Sequence, residues 1–359
     1  FDIDIMILRS YIFKKIVGLG FLAFPFTTAF NPSTATTSGW SEAAIKQARD
    51  LSITQREKLK AEGALGIDWP IKIKAQRIDS IPLVEEDIPG SVTKVVHFQR
   101  HGHGYHNLLG EVYRELGNAV DLADPNPATN PFVRPDIVDS PLTEKGCAEC
   151  AAQRTVAAQL RPELLVVSPL QRTLQTAALT WADHRRRGDA GGGGEGGVPW
   201  VAHEGCREEL GFLVCNRRRP LARARSEYPD VDFALIESEE DTLWDPRRFE
   251  TAAEKARRAY AFMEFLRGRP EREVAVVSHS AWLFHLTNAV LDCGGDPALD
   301  SWFLTSEVRS LRVTFLPPPP PSGGGDGGSG GGGEEPTRFF EGLGPLPASS
   351  SGGSPPSSA

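Results

Sequence analysis

The chain has 359 residues, 40% of them hydrophobic and 24% charged, with a net charge of −8, the composition of a soluble globular protein with room for one large domain or two ordinary ones. The acidic balance argues against general nucleic-acid binding, which wants a basic surface, yet leaves an anionic substrate open because local field and global charge are separate matters. Five cysteines are an odd number and argue against a disulfide framework; the single C-x-x-C, Cys147 and Cys150, lies in a helical pattern with no second pair to complete a zinc site.

The chain opens on Phe1, so its start reads as incomplete. Lys14 and Lys15 precede an apolar run, Ile16 to Phe30, that is short for a membrane span and suits a signal h-region. The Ser/Thr/Ala-rich stretch after it gives an order that resembles the bipartite plastid presequences of algae with secondary plastids. Residues 1–40 are therefore expected to route the protein to a plastid or the secretory path, with a cytoplasmic protein if they are no targeting peptide and a membrane anchor as a further reading. No membrane is expected for the mature domain.

Residues 41–90 read as an N-terminal extension, a helix followed by a proline-punctuated extended stretch. From 91 to 316 short apolar runs alternate with helical periods. Strands are expected at 93–99, 163–168, 198–203, 273–278 and 308–315, and helices at 142–160 (opened by Asp139, Ser140 and Pro141), 169–187, 250–268 and 281–291. Alternating strands and helices predict an α/β three-layer sandwich, a mostly parallel sheet with helices on both faces. Continuous Val/Leu runs fit strands buried on both sides. Residues 317–359, rich in Pro, Gly and Ser, lack the means to build a core and are expected to be a disordered tail.

Three strand ends carry the same charge. Arg100 and His101 follow the first run in "VVHFQRHGHGYHN", Arg172 falls in the first turn after "ELLVVS", and His279 follows "EVAVVS". Ligands of open parallel sheets bind at the carboxyl ends of the strands. Two guanidinium forks and two imidazoles gathered there suit a phosphate. Helix starts near Pro169 and Ala281 are expected to add backbone N–H groups.

The motifs "RHGHGYHN", "VVSPLQRTLQTA", "EGCREELG" and "VVSHS" resemble those of the histidine phosphatase, or phosphoglycerate mutase-like, superfamily. "CREELGFLVCNRRRP", "DFALIESEEDTLW" and "AVVSHSAWLFH" resemble its plant and algal phosphoglycerate mutase-like proteins more narrowly. The resemblance spans about 91–316 and implies Arg100, His101, Arg172, Glu208 and His279 as the catalytic set, with an insertion at 206–249 capping the strand edge. His279 is followed by Ser280 rather than Asp, which implies the branch whose proton donor lies in the middle of the chain. Phosphoglycerate mutases carry an L-N-E-R-H-Y-G-like stretch around the acid; the "CREELGFLVCN" here favours hydrolysis.

The implied chemistry is two displacements through a phosphohistidine on a small anionic phosphomonoester, without metal or other cofactor. His101 attacks phosphorus while its second ring nitrogen is held as a donor by a backbone carbonyl, and Glu208 protonates the leaving alkoxide. Glu209 is the immediate competitor for the acid role. Asn107, which closes the first motif, is expected to bind substrate; His106 lines the pocket or orients its loop. Arg217 and Arg218 are expected to read a second anionic group on the substrate, against the alternative of a solvated basic face. The acidic run 237–241 is expected to pair with that basic stretch. His97, His103, His184, His203 and His285 read as structural. A mutase-type phosphotransferase is the alternative to a phosphatase, and an inactive phosphate-binding module a second one; the sequence leaves substrate and oligomeric state open.

Overall fold

The computed structural model describes residues 40–80, 88–185 and 197–317. Apart from Trp40 and Pro317, the expected presequence and tail lie outside them. Among the described residues eight strands form one sheet: β1 (Ile73–Arg77), β2 (Val92–Arg100), β3 (Leu164–Val167), β4 (Trp200–Ala202), β5 (Val231–Asp232), β6 (Glu273–Ser278), β7 (Leu291–Asp292) and β8 (Val308–Phe315), in the order β5-β4-β3-β6-β2-β8-β1-β7. Neighbours are parallel except where β8 runs against β2 and β1.

The helices are α1 (Glu42–Ala61), α2 (Tyr105–Glu115), α3 (Glu144–Ala157), α4 (Gln171–Thr180), α5 (Leu221–Glu227), α6 (Ala252–Gly268), α7 (Ser280–His285) and α8 (Pro297–Asp300). β3 is buried along its whole length, as its unbroken aliphatic run predicts. Val96, Phe98, Val166 and Val276 face α6 and α7 through Ala259, Phe262, Met263 and Trp282. Leu165, Val167, Ala275 and Val277 face the other way, toward Ala157 of α3, Leu174 and Ala177 of α4, and Trp181 just beyond it. The three-layer sandwich is thus the observed architecture.

Several boundaries differ from the sequence reading. α3 starts at Glu144, not 142, because the Thr143 hydroxyl accepts from Gly146 N and caps it. Asp139, expected to open that helix, instead accepts from Gln171 N (2.6 Å) at the start of α4. The helix expected at 281–291 is α7 followed by a π turn, Leu286–Val290. The extension contributes to the domain itself: β1 pairs with β8 along its whole length.

Candidate active site

Register brings the charged strand ends level. Arg100 lies opposite Ser278 across β2 and β6, and Val167 opposite Val277 across β3 and β6. The residues that follow, His101, Ser168 and His279, therefore meet on one edge of the sheet. The His101 backbone is fixed by N–H to Ser278 O (2.9 Å) and by Ser306 N to its carbonyl (3.1 Å). Beyond it the loop presses on α3. A Cβ on Gly102 would stand 2.7 Å from both Cys150 Sγ and Gly146 O, and one on Gly146 would stand 2.1 Å from His103 O. Only glycine fits at either position, and the loop after His101 is packed directly on α3.

His101 is buried, and its Nδ1 lies 2.7 Å from Gly102 O. A carbonyl oxygen only accepts, so Nδ1 carries the proton and Nε2 keeps its lone pair. Burial holds this imidazole well below its usual value, with the Arg172 and Arg100 charges acting in the same sense. It is a neutral ring with a free nitrogen set among cations. The His279 and His106 rings lie 5.2 Å and 5.3 Å from it, centroid to centroid.

Arg172 is buried, and its fork is placed by three bonds: Nε to His279 Nδ1 (3.2 Å), Nη1 to Cys215 O (2.8 Å) and Nη2 to Asn216 Oδ1 (2.9 Å). Guanidinium has five N–H donors, so three are committed. His279 accepts through Nδ1 and so donates from Nε2 to Ser168 Oγ (2.8 Å); burial, then the Arg172 charge, holds it well below its usual value. Arg100 donates from Nη1 to Phe303 O (2.8 Å), while its buried Nε has no partner. A buried N–H without a partner is costly, and the Arg100 charge is close enough to His101 to bear on its protonation. Burial pulls the Arg100 guanidinium down to about 10, still charged at neutral pH.

Glu208 reaches the same edge from the loop after β4. Its Oε1 accepts from Glu209 N (3.1 Å) and Trp282 N (3.1 Å), and its Oε2 from Ala281 N (3.3 Å) and Ser280 Oγ (3.5 Å). Glu209 points elsewhere and pairs with buried Lys255 (2.7 Å), which removes the competitor for the acid role. The expectation that the starts of two helices offer N–H groups to a phosphate is corrected. The start of α4 is occupied by Asp139 and that of α7 by Glu208, because carboxylates of the chain itself are drawn to those positive ends.

The outer residues divide. His106 bonds Ser140 Oγ through Nδ1 (3.1 Å) and its ring lies 5.3 Å from that of His101. Asn107 accepts from Gly104 N (2.9 Å) and closes the capping box of α2. Arg217 is exposed and lies over the Trp244 ring at 5.1 Å. Arg218 is a correction: it is buried, pairs with Glu204 (3.0 Å) and donates to the carbonyls of Arg219, Ser238, Glu239 and Glu240, which leaves it no reach to a substrate. Beside it Arg207 pairs with Asp241 (2.6 Å) and Glu204 (2.9 Å). The expected pairing of the acidic run with the basic stretch is corrected: Arg218 holds the run by its backbone carbonyls, while the carboxylates of Glu239 and Asp241 pair with Arg225 and Arg207, and this network ties the insertion to the sheet edge.

The five histidines expected to be structural each have a structural partner: His97 Ser310 and Glu273, His103 Thr143 and Glu111, His184 Ala157 O, His203 Gly205 N, and His285 Ala281 O. Sequence reasoning missed Ser168, though it stands inside "VVSPLQRTLQTA", and missed Cys215, Asn216 and Phe303, whose contributions are local contacts that no motif marks. Among the described residues no helix is long and apolar enough to cross a membrane.

With this geometry in place, known proteins can be set beside the chain. The sequence profile of the histidine phosphatase superfamily (branch 1) matches residues 136–303. Phosphoglycerate mutase-like protein 1 of Arabidopsis thaliana is 31% identical over 241 residues, covering 61% of this chain and 80% of that protein. A second Arabidopsis phosphoglycerate mutase-like protein is 31% identical over 224 residues, covering 56% and 77%. Among solved structures, a mycobacterial glucosyl-3-phosphoglycerate phosphatase aligns at 19% identity and a TM-score of 0.36, over 62% of this chain and 91% of its own. A phosphoserine phosphatase mutant from Entamoeba histolytica aligns at 14% identity and a TM-score of 0.32, over 60% and 89%.

Proposed function

Since the chain belongs to the histidine phosphatase superfamily, we propose that it hydrolyses a small phosphomonoester through a phosphohistidine on His101. The observation that carries this reading is the 2.7 Å contact from His101 Nδ1 to Gly102 O, which leaves Nε2 as a lone pair among positive charges. Nε2 attacks phosphorus as the ester P–O bond breaks. Arg100 and Arg172 stabilise charge on the equatorial oxygens, and His279 holds the Arg172 fork in place. Glu208, entering in its acid form, hands its proton to the departing alkoxide. Water then attacks the phosphohistidine, the N–P bond breaks, and the proton taken from water returns to Glu208. No step calls for a metal.

The test is phosphate release from a panel of phosphomonoesters, with and without EDTA, by the wild-type chain and by His101→Ala. Release insensitive to EDTA, blocked by vanadate and lost in the variant is the expected result; substantial turnover by His101→Ala overturns the nucleophile. A phosphotransferase reading shares all five residues, and the Arabidopsis relatives carry mutase-like names. Phosphate passed to a second substrate, with none freed, would select it.

A further inference from the structure

Both active-site residues at the end of β2 are held by one segment, 300–307. Phe303 O accepts from the Arg100 side chain (2.8 Å), Glu307 O from Arg100 N (3.1 Å), and Ser306 N donates to His101 O (3.1 Å). Part of this segment's shape comes from within. Arg309 donates to the carbonyls of Leu299, Ser301 and Trp302, pairs with Glu307 and stacks on the Phe303 ring.

The rest comes from outside, from residues 40–61. Trp302 N donates to Ser52 Oγ (2.7 Å), Arg56 Nη2 donates to Asp300 Oδ1 (2.6 Å) and to its carbonyl (3.2 Å), Arg56 Nε donates to Asn288 Oδ1 (2.7 Å), and Trp40 Nε1 donates to Thr305 O (3.3 Å). Asn288 in turn donates to Asp300 O (2.9 Å). The Trp302 ring packs on Phe284 and on the cluster containing Leu59 and Ala64. The extension thus meets the 300–307 segment at Asp300, Trp302 and Thr305, interleaved with the residues that grip Arg100 and His101.

We propose that α1, through Arg56 and Ser52, is a positioning element of the active site that sets Arg100 and His101 by way of residues 300–307. The inference rests on the phosphatase reading for its kinetic consequence, but its mechanical content is independent of it. A guanidinium that must meet a phosphoryl oxygen tolerates little displacement, and a misplacement of about 1 Å costs up to about 100-fold in rate. Loosening Arg56 relaxes the segment without removing any group that touches substrate.

The experiment compares the full chain with Arg56→Ala, Arg56→Lys and, as a control, Arg154→Ala, which removes an exposed ion pair to Asp183 far from the segment. Amide hydrogen exchange is followed at 99–102 and 300–307, and kcat and KM are measured on p-nitrophenyl phosphate with protein quantified as folded chain. In Arg56→Ala, exchange in both segments should quicken about tenfold and kcat should fall about tenfold with KM within about twofold. Arg56→Lys, which restores one donor to Asp300, should recover part of both, and Arg154→Ala should match wild type. Unchanged exchange at 99–102 in Arg56→Ala overturns the proposal whether or not the enzyme turns over. Equal kcat per folded molecule in Arg56→Ala and wild type overturns its kinetic half. A wild-type chain that releases no phosphate, with exchange in Arg56→Ala quickened as expected, overturns the phosphatase reading alone.

Discussion

Acid should dismantle this site before it touches the carboxylates. His101, His106 and His279 are buried, and burial together with the arginines holds each well below the ordinary 6.5. Unfolded, the same rings titrate normally. Between about pH 7 and about pH 5 the unfolded chain takes up protons that the folded site refuses, so stability falls as pH falls. Each imidazole kept neutral across that interval costs about 2 kcal/mol, and buried His203, held down to about 4, and His285, held down to about 2, add to the same loss. Together these are a large share of the roughly 5–15 kcal/mol that holds a typical domain together. Ordinary carboxylates hardly titrate there, and Asp139, raised by its burial, offsets a part by working in the opposite sense. Urea titrations at the two pH values on wild type and on His106→Gln, which keeps a polar partner for Ser140, measure the effect. The variant should lose about 2 kcal/mol of the wild-type difference. Coincident wild-type midpoints, or a variant that keeps the full difference, would refute the reasoning.

Other expectations follow from single contacts. Glu208→Gln should depress turnover of alkyl phosphates far more than of p-nitrophenyl phosphate, whose leaving group needs little protonation; equal losses in steady-state rates would remove Glu208 from the acid role. Arg217→Ala should raise KM for substrates with a second anionic group and leave melting nearly unchanged, since Arg217 is exposed. Arg218→Ala should instead lower stability by about 3 kcal/mol in denaturant titrations, because it strips buried carbonyls and part of a buried ion network of their donor. Gly146→Ala puts a methyl 2.1 Å from His103 O, so it should cost about 2 kcal/mol or more and take phosphate release with it; a variant with native kcat would show that the loop and α3 can part.

The sheet was legible where strands are long and apolar. The runs at 93–99, 163–168, 273–278 and 308–315 all became strands, and at 163–168 and 273–278 burial on both faces goes with nearly unbroken aliphatic sequence. β5 and β7, two residues each, carry no pattern, and β1 owes its existence to pairing with a strand far along the chain. His101, Arg172 and His279 were legible because strand ends in a parallel sheet converge by register. Arg218 was misread because charge in a sequence does not say whether its partner is a substrate or the chain; Glu204, the partner that decides it, is 14 residues away. The occupied helix starts were misread for the same reason, since Asp139 and Glu208 reach them only after folding.

The charged interior of the insertion also bears on traffic. Parting Arg207 and Arg218 from Glu204, which lies just outside the insertion, costs about 3–5 kcal/mol inside the protein, so residues 206–249 are pinned at their root to the end of β4. Under the phosphatase reading, reactant and product would pass a standing mouth rather than a gate.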